Sequence, residues 1–344
     1  MRRTPSSVRR AVLSGIAATG ASPLIARAQG KPERVTIRYG YLPVPTAPLF
    51  AGIAHELFER ENIDLQMIKF TSGPAAFQAL QSGSIDAAQG GMPAYYMGTT
   101  RGLDVKWVYT YGDYSPIEGL VVPKGSTVRR FEELKGKKVA LPTGSMMHLA
   151  HLYALQRAGM SIGEVEIVPL QPPQGLAAVI NGDVQGAWFW DPNLTQAIDK
   201  GAQRIIVNKD LGMLDPFGFA MTTRFLSDRK NVDGTARFIR GLMEGQRRFA
   251  ADPEPTLSSI QKITGVERAL SVQLIKGVEW YSAEQQLSAD HVMSMANPAD
   301  QTRGAAGLIK SKVEGPALWG NVIAKAGDAS GFFDNRPLRM ALGR

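Results

Sequence analysis

One order of elements occurs twice along the chain, and it limits the fold more tightly than any single motif. Arg34 to Tyr41 alternates apolar and polar residues, as a strand does. Leu42 to Pro48 holds three prolines and is therefore a loop at that strand's end. Helical spacing follows from Leu49 to Glu59, then a second strand over Ile63–Ile68. Thr71-Ser72-Gly73-Pro74 is a turn and helix cap, Ala75 to Gln81 a helix, and Ile85 to Ala88 a short strand. The pattern restarts at Phe131 with a short helix and the strand Val139–Leu141. A helix is expected from Met146 to Ala158, stopped by Gly159, then a strand over Val165–Leu170. Gly175 to Asn181 is again a helix and Val184 to Trp188 a strand. Strands alternating with helices build a parallel sheet covered on its faces. Two such cycles predict two α/β lobes with a cleft between them, and 344 residues suffice for two cores.

Glu118–Val122 and Phe217–Thr222 bracket the second cycle and read as paired crossover strands, a two-strand hinge. Lobe 1 is then expected over 33–120 and 221–344, and lobe 2 over 121–220. Amphipathic runs at Val232–Ala251 and Glu267–Gly277 suit helices that cover the first lobe.

The formal charge of +8 suggests a basic protein, but it is unevenly placed. Five arginines fall within residues 1–28, which contain no acid; the remainder carries 34 basic against 31 acidic residues. That balance supports no nucleic-acid footprint. The same segment has a basic start ending in Arg9-Arg10, an apolar stretch from Ala11 to Ile25, and Ala26-Arg27-Ala28. These are the parts of an export signal cleaved near Ala28, which predicts a periplasmic protein. The arginine pair leaves both the general secretory and the twin-arginine routes open. There are no cysteines, so disulfides, thiolate catalysis and cysteine-ligated metals are excluded.

Two longer segments carry a resemblance. Gly163-Glu164-Val165-Glu166-Ile167-Val168-Pro169-Leu170-Gln171-Pro172-Pro173 is followed by Asn181-Gly182-Asp183-Val184-Gln185-Gly186-Ala187-Trp188-Phe189-Trp190-Asp191-Pro192. With Ser82 to Ala87, Leu134 to Ala140 and Thr264-Gly265-Val266, these resemble the taurine and alkanesulfonate binding proteins of ABC importers. The resemblance runs in order from about Val35 to the C-terminus. It implies a type II periplasmic binding fold, two α/β lobes joined by a two-strand hinge that close on a small-molecule ligand. It also implies a monomer without cofactor, and the importer's membrane subunits as partners. A periplasmic ligand-sensing binding protein, or a pyrimidine-precursor-related enzyme or binding protein of the same fold, is the alternative. The cysteine-rich motif of the pyrimidine-forming enzymes is absent, and no Gly-x-Ser-x-Gly, Walker or His-Glu-x-x-His pattern occurs.

Ligand-facing loops in such folds lie at the carboxyl ends of strands, here 41–46, 89–93, 143–148 and 190–192. The resemblance places ligand contacts at Tyr41, Leu42, Gly91, Met92, Thr143, Ser145, Met146, His148, Trp190 and Asp191, with Glu118 at an acidic position and Tyr111 beside the hinge. Relatives often carry serines before the proline that is Pro93 here and threonines before His148. This chain has Gly91-Met92 and Met146-Met147 instead, so hydroxyl donors to a sulfonate are missing. Backbone N–H groups at Gly91, Gly144 and Ser145 remain for an acidic group. An aspartate of the taurine-type pattern is replaced by Gly218. Asp191 either reads a cation together with Glu118 against Trp188 and Trp190, or caps the helix that follows. His148 and His151 stand three apart on a helix with no third metal ligand nearby.

Overall fold

A computed structural model describes residues 32–99, 101–286 and 329–344; the expected export signal lies outside them. The first cycle folds as β1 (Val35–Tyr41), α1 (Ala47–Ala54), α2 (Leu57–Arg60), β2 (Ile63–Lys69), α3 (Gly73–Ser82), β3 (Ala87–Gly91) and α4 (Met92–Thr99). It is completed by β4 (Val105–Asp113). The second cycle runs β5 (Glu118–Val122), β6 (Lys138–Leu141), α5 (Met146–Arg157), β7 (Glu166–Pro169), α6 (Pro172–Asn181), β8 (Gly186–Trp190), α7 (Asn193–Asp199) and β9 (Gln203–Val207). Then come β10 (Pro216–Thr222), α8 (Thr223–Leu226), α9 (Arg229–Ala251), α10 (Glu254–Thr264), α11 (Arg268–Gly277), β11 (Glu279–Trp280), α12 (Ala283–Gln286) and α13 (Arg336–Ala341).

The elements form two sheets among the described residues. One has six strands in the order β11-β4-β10-β3-β1-β2, the other five in the order β7-β6-β8-β5-β9. In each sheet the parallel strands share one order: β1 lies between β2 and β3, and β6 between β7 and β8. One antiparallel strand follows in each case, β10 beside β3 and β5 beside β8. The repeated order in the sequence is thus a repeated sheet topology.

The expected pairing of the two crossover strands is corrected by this arrangement. β5 is bonded to β8 and β9, and β10 to β3 and β4. Each therefore has both edges occupied inside its own sheet, and none is left for the other strand. What joins the sheets is a pair of crossing segments, one after Asp113 and one before Pro216. They are stapled by a single carboxylate: Asp113 accepts from the Ser115 amide at 3.0 Å, the Ser115 hydroxyl at 2.9 Å and the Asp215 amide at 2.9 Å. The Tyr114 amide donates back to the Asp215 carbonyl at 2.9 Å.

Packing follows from the side-chain periods. Asp228 caps α9 by accepting from the Lys230 amide, and the helix buries Ala236, Phe238, Ile239 and Leu242 on one stripe. That stripe packs on α1, β1 and β2, where Phe238 meets Tyr39, Phe58 and Phe219. In β8, successive rings point to opposite faces. Trp188 joins Phe131 and His151 on one side, and Phe189 joins Ala178 and Leu194 on the other. No helix among the described residues is long and apolar enough to cross a membrane.

Candidate functional site

The parallel strands of both sheets end, and the antiparallel ones begin, on one side of the molecule. That geometry gathers residues far apart in sequence around one narrow pocket, with a cavity volume of about 30 Å³. From the six-stranded sheet come Leu42 and Val44 after β1, Gly90 and Gly91 at the end of β3, and Phe217 in β10. From the other come Glu118 at the start of β5, Trp190 at the end of β8, and Ser145 and Met146 at the start of α5. The crossing segments add Tyr114 and Asp215, and Gly73, Ala94 and Tyr95 close the wall. Glu118 and Trp190 are register partners on adjacent strands, so their side chains project from the same face.

Two carboxyls dominate this pocket, and among the described residues no Lys, Arg or His lines it. Glu118 and Asp215 are 3% and 1% exposed. Asn208 donates to Glu118 at 2.8 Å. Burial pushes the Glu118 carboxyl well above the usual carboxylate range, and the neighbouring Asp215 charge adds to the effect. A hydrogen bond between the two carboxyls adds to the rise at Glu118 and opposes the rise at Asp215. Burial pushes Asp215 up to about 7 in spite of that hydrogen bond. One Asp215 oxygen, Oδ1, has no hydrogen-bond partner among the described residues. Gly91 makes room for it: a Cβ at position 91 would lie 2.3 Å from that oxygen. The missing serine noted in the sequence and the buried aspartate are thus one feature, since no side chain fits between the strand and the carboxyl.

The raised Asp215 value has a measurable consequence. A carboxyl that keeps its proton more tightly when folded costs nothing below its unfolded value near 4 and its full penalty above about 7. Native stability should therefore fall as the pH rises across this window. The buried His148 and His151 are lowered to about 4 and about 3 and act in the opposite sense below pH 6.5, so the comparison is made against a variant. Asp215→Asn is expected to melt above the wild type by an amount that grows between pH 5 and pH 8, to on the order of 5 °C. A difference independent of pH, read by circular dichroism, would remove this assignment.

Six of the residues singled out from the sequence line the pocket: Leu42, Gly91, Glu118, Ser145, Met146 and Trp190. The other six do not. Tyr41 is turned to the Ile263 carbonyl, and Met92 is packed in the core beside Tyr95 and Met97. Tyr111 is fully buried in β4, where its hydroxyl meets that of Tyr39 at 2.9 Å. Thr143 is exposed and lines a separate recess with Pro74 and Arg101. The His148 ring accepts the Gly144 amide at 3.1 Å, and burial together with the Arg101 charge keeps it neutral. Asp191 accepts from the Thr195 amide at 2.8 Å, so of its two readings the structure supports the cap of α7. His151 likewise accepts from the Trp188 indole at 3.2 Å inside the core. Trp188 is fully buried there and does not reach the pocket.

Two of the three backbone donors expected for an acidic ligand group, those of Gly144 and Ser145, are spent. The Gly144 amide serves His148, the Ser145 amide bonds the Pro142 carbonyl at 3.3 Å, and the Ser145 hydroxyl bonds that carbonyl at 2.6 Å. Asp215 is the principal residue that the sequence reading missed. It sits in no motif, and its only local signal is an acid directly before the strand 216–222.

Comparison with known proteins agrees with this architecture. A taurine-binding periplasmic protein of Escherichia coli is 26% identical over 266 residues, covering 75% of this chain and 81% of that protein. A Bacillus subtilis protein provisionally named as binding aliphatic sulfonates is 30% identical over 229 residues, covering 67% and 68%. Among solved structures, the alkanesulfonate-binding protein of Xanthomonas axonopodis pv. citri bound to MOPS superposes with a TM-score of 0.63 at 24% identity, over 73% of this chain and 89% of that one. The profile of the NMT1/THI5-like family matches residues 45–256. With its repeated sheets and its cleft at their shared edge, this chain belongs to the NMT1/THI5-like family.

Proposed function

We propose that the protein is an exported solute-binding protein that captures a small organic molecule between its two lobes and delivers it to an ABC importer. The observation that carries this reading is the origin of the pocket wall. Leu42 and Gly91 come from one sheet, Glu118, Ser145 and Trp190 from the other, so a bound molecule bridges both. The two crossing segments are the natural place for bending, since among the described residues they carry the chain from one sheet to the other. Lobe 1 carries the six-stranded sheet and lobe 2 the five-stranded one, and the closed rims are what the membrane subunits recognise. The relatives named as periplasmic binding proteins support the same role. The N-terminal 28 residues serve as the export signal, and the mature protein works as a monomer in the periplasm.

The reading is tested by thermal shift with a panel of sulfonates, carboxylates, amines and pyrimidines. A ligand at one hundred times its dissociation constant stabilises the folded state by about 2.7 kcal/mol and must raise the melting temperature. A panel in which no compound shifts the midpoint while one is chemically converted would replace capture with catalysis.

A further inference from the structure

The inference that follows rests on the solute-capture reading and concerns the size and shape of the solute. We propose that the solute carries an apolar arm about as large as a phenyl ring, and that this arm lies in a recess between α3 and α4 beside the 143–144 loop, outside the narrow pocket at Glu118.

The first ground is space. The pocket at Glu118 has a volume of about 30 Å³, room for little more than about one water molecule. The recess has a volume of about 210 Å³. A cavity of about 150 Å³ accepts benzene, so the recess admits a phenyl-sized body and the pocket does not. The two spaces adjoin. Ala94 lines both, and Gly73 and Ser145 of the pocket neighbour Pro74 and Gly144 of the recess in the chain. A molecule with a small group in the pocket can therefore extend its remainder into the recess.

The second ground is the chemistry of the walls. Ala94, Met97 and Leu103 are buried side chains that give the recess an apolar floor. The Phe77 ring joins them and packs edge-on against Tyr95, with centroids 4.7 Å apart. A Cβ at Gly98 would stand 2.8 Å from the Leu103 side chain, so this glycine lets α4 and Leu103 meet beneath the floor. The polar side chains Gln81, Arg101 and Thr143 are exposed and form the rim. An apolar floor with a few polar groups at its edge suits an apolar body that keeps one side in water.

The third ground is where the walls come from. Thr143 and Gly144 lie between β6 and α5, in the lobe of the five-stranded sheet. The other lining residues belong to α3, α4 and the turn before β4, in the lobe of the six-stranded sheet. An arm in the recess thus touches both lobes and adds apolar contact when they close on it.

Matched probes decide the matter on the purified protein. 2-Phenylethylamine, 3-phenylpropionate and 2-phenylethanesulfonate carry the arm on three different head groups; ethylamine, propionate and ethanesulfonate are their counterparts without it. In titration calorimetry at least one phenyl compound is expected to bind on the order of tenfold or more tightly than its short counterpart. Thr143→Phe places a ring at the exposed rim and is expected to weaken that compound on the order of tenfold, toward the affinity of its short counterpart. Circular dichroism shows that the variant is folded when the titration is read. A short compound that binds as tightly as its phenyl counterpart would overturn the arm and leave solute capture standing. So would failure of all three phenyl compounds beside a bound compound of the wider panel that has no apolar body of that size. A phenyl compound that binds Thr143→Phe as well as the wild type would overturn its placement in the recess. If no compound of either set binds the folded protein, solute capture falls and this inference with it.

Discussion

Gly218→Ala is expected to lower the stability of the protein by roughly 3 kcal/mol, a fall in melting temperature of roughly 5 °C or more. Position 218 lies in β10, in the middle of the six-stranded sheet, next to a shift of register against β4. A Cβ there would stand 2.0 Å from the Tyr109 carbonyl oxygen and 2.8 Å from the Thr110 Cα. Both are backbone atoms and cannot rotate away as the tip of a side chain would. β10 must therefore separate from β4, or the local irregularity must be rebuilt. The same geometry forbids restoring the aspartate that the taurine-type pattern carries at this position: Gly218→Asp should unfold the sheet rather than add a pocket acid. Thermal unfolding followed by circular dichroism reads both variants. An alanine variant that melts with the wild type would show that the two strands approach less closely than described.

Asp113→Ala is expected to cost about 3 kcal/mol or more and to loosen the ligand site with it. The substitution strips the acceptor from two buried backbone amides, those of Ser115 and Asp215, and from the Ser115 hydroxyl. Burial raises the Asp113 carboxyl, and these donors oppose that rise, so the group is held by hydrogen bonding rather than by an ion pair. Asp113→Asn keeps one side-chain acceptor and should retain part of the stability, which separates lost hydrogen bonding from lost charge. Because the stapled amide is that of Asp215 itself, ligand affinity should fall in Asp113→Ala even at temperatures where the variant is folded. Denaturant unfolding of the three proteins, with a titration of each, checks both halves of the expectation. Equal midpoints for Asp113→Ala and wild type would mean that the crossing segments are held together elsewhere.

Much of the frame was legible because it rests on local patterns. The alternation in 35–41, the helices ending near Gln81 and Asn181, and the amphipathic stripe of α9 each express themselves within a dozen residues. Glu118 and Trp190 were legible for a related reason, since each sits at the end of a strand that the pattern delimits. Tyr111 was misplaced because β4 is buried along almost its whole length, and in such a strand alternation no longer tells the core from the cleft. Asp191 offered two locally consistent roles, and the position of the Thr195 amide chose between them.

The partners of the crossover strands and the acid at position 215 were decided by tertiary structure alone. A strand's neighbours depend on which edges other segments leave open, and β5 and β10 each found both edges filled within separate sheets. Asp215 meets Glu118 and Gly91 only because the second crossing is stapled to the first through Asp113. The sequence by itself determined two α/β repeats, because hydrophobic periodicity is a property of consecutive residues. The pocket's chemistry came from contacts across more than ninety residues, where periodicity carries no information and burial, space and hydrogen-bond supply do.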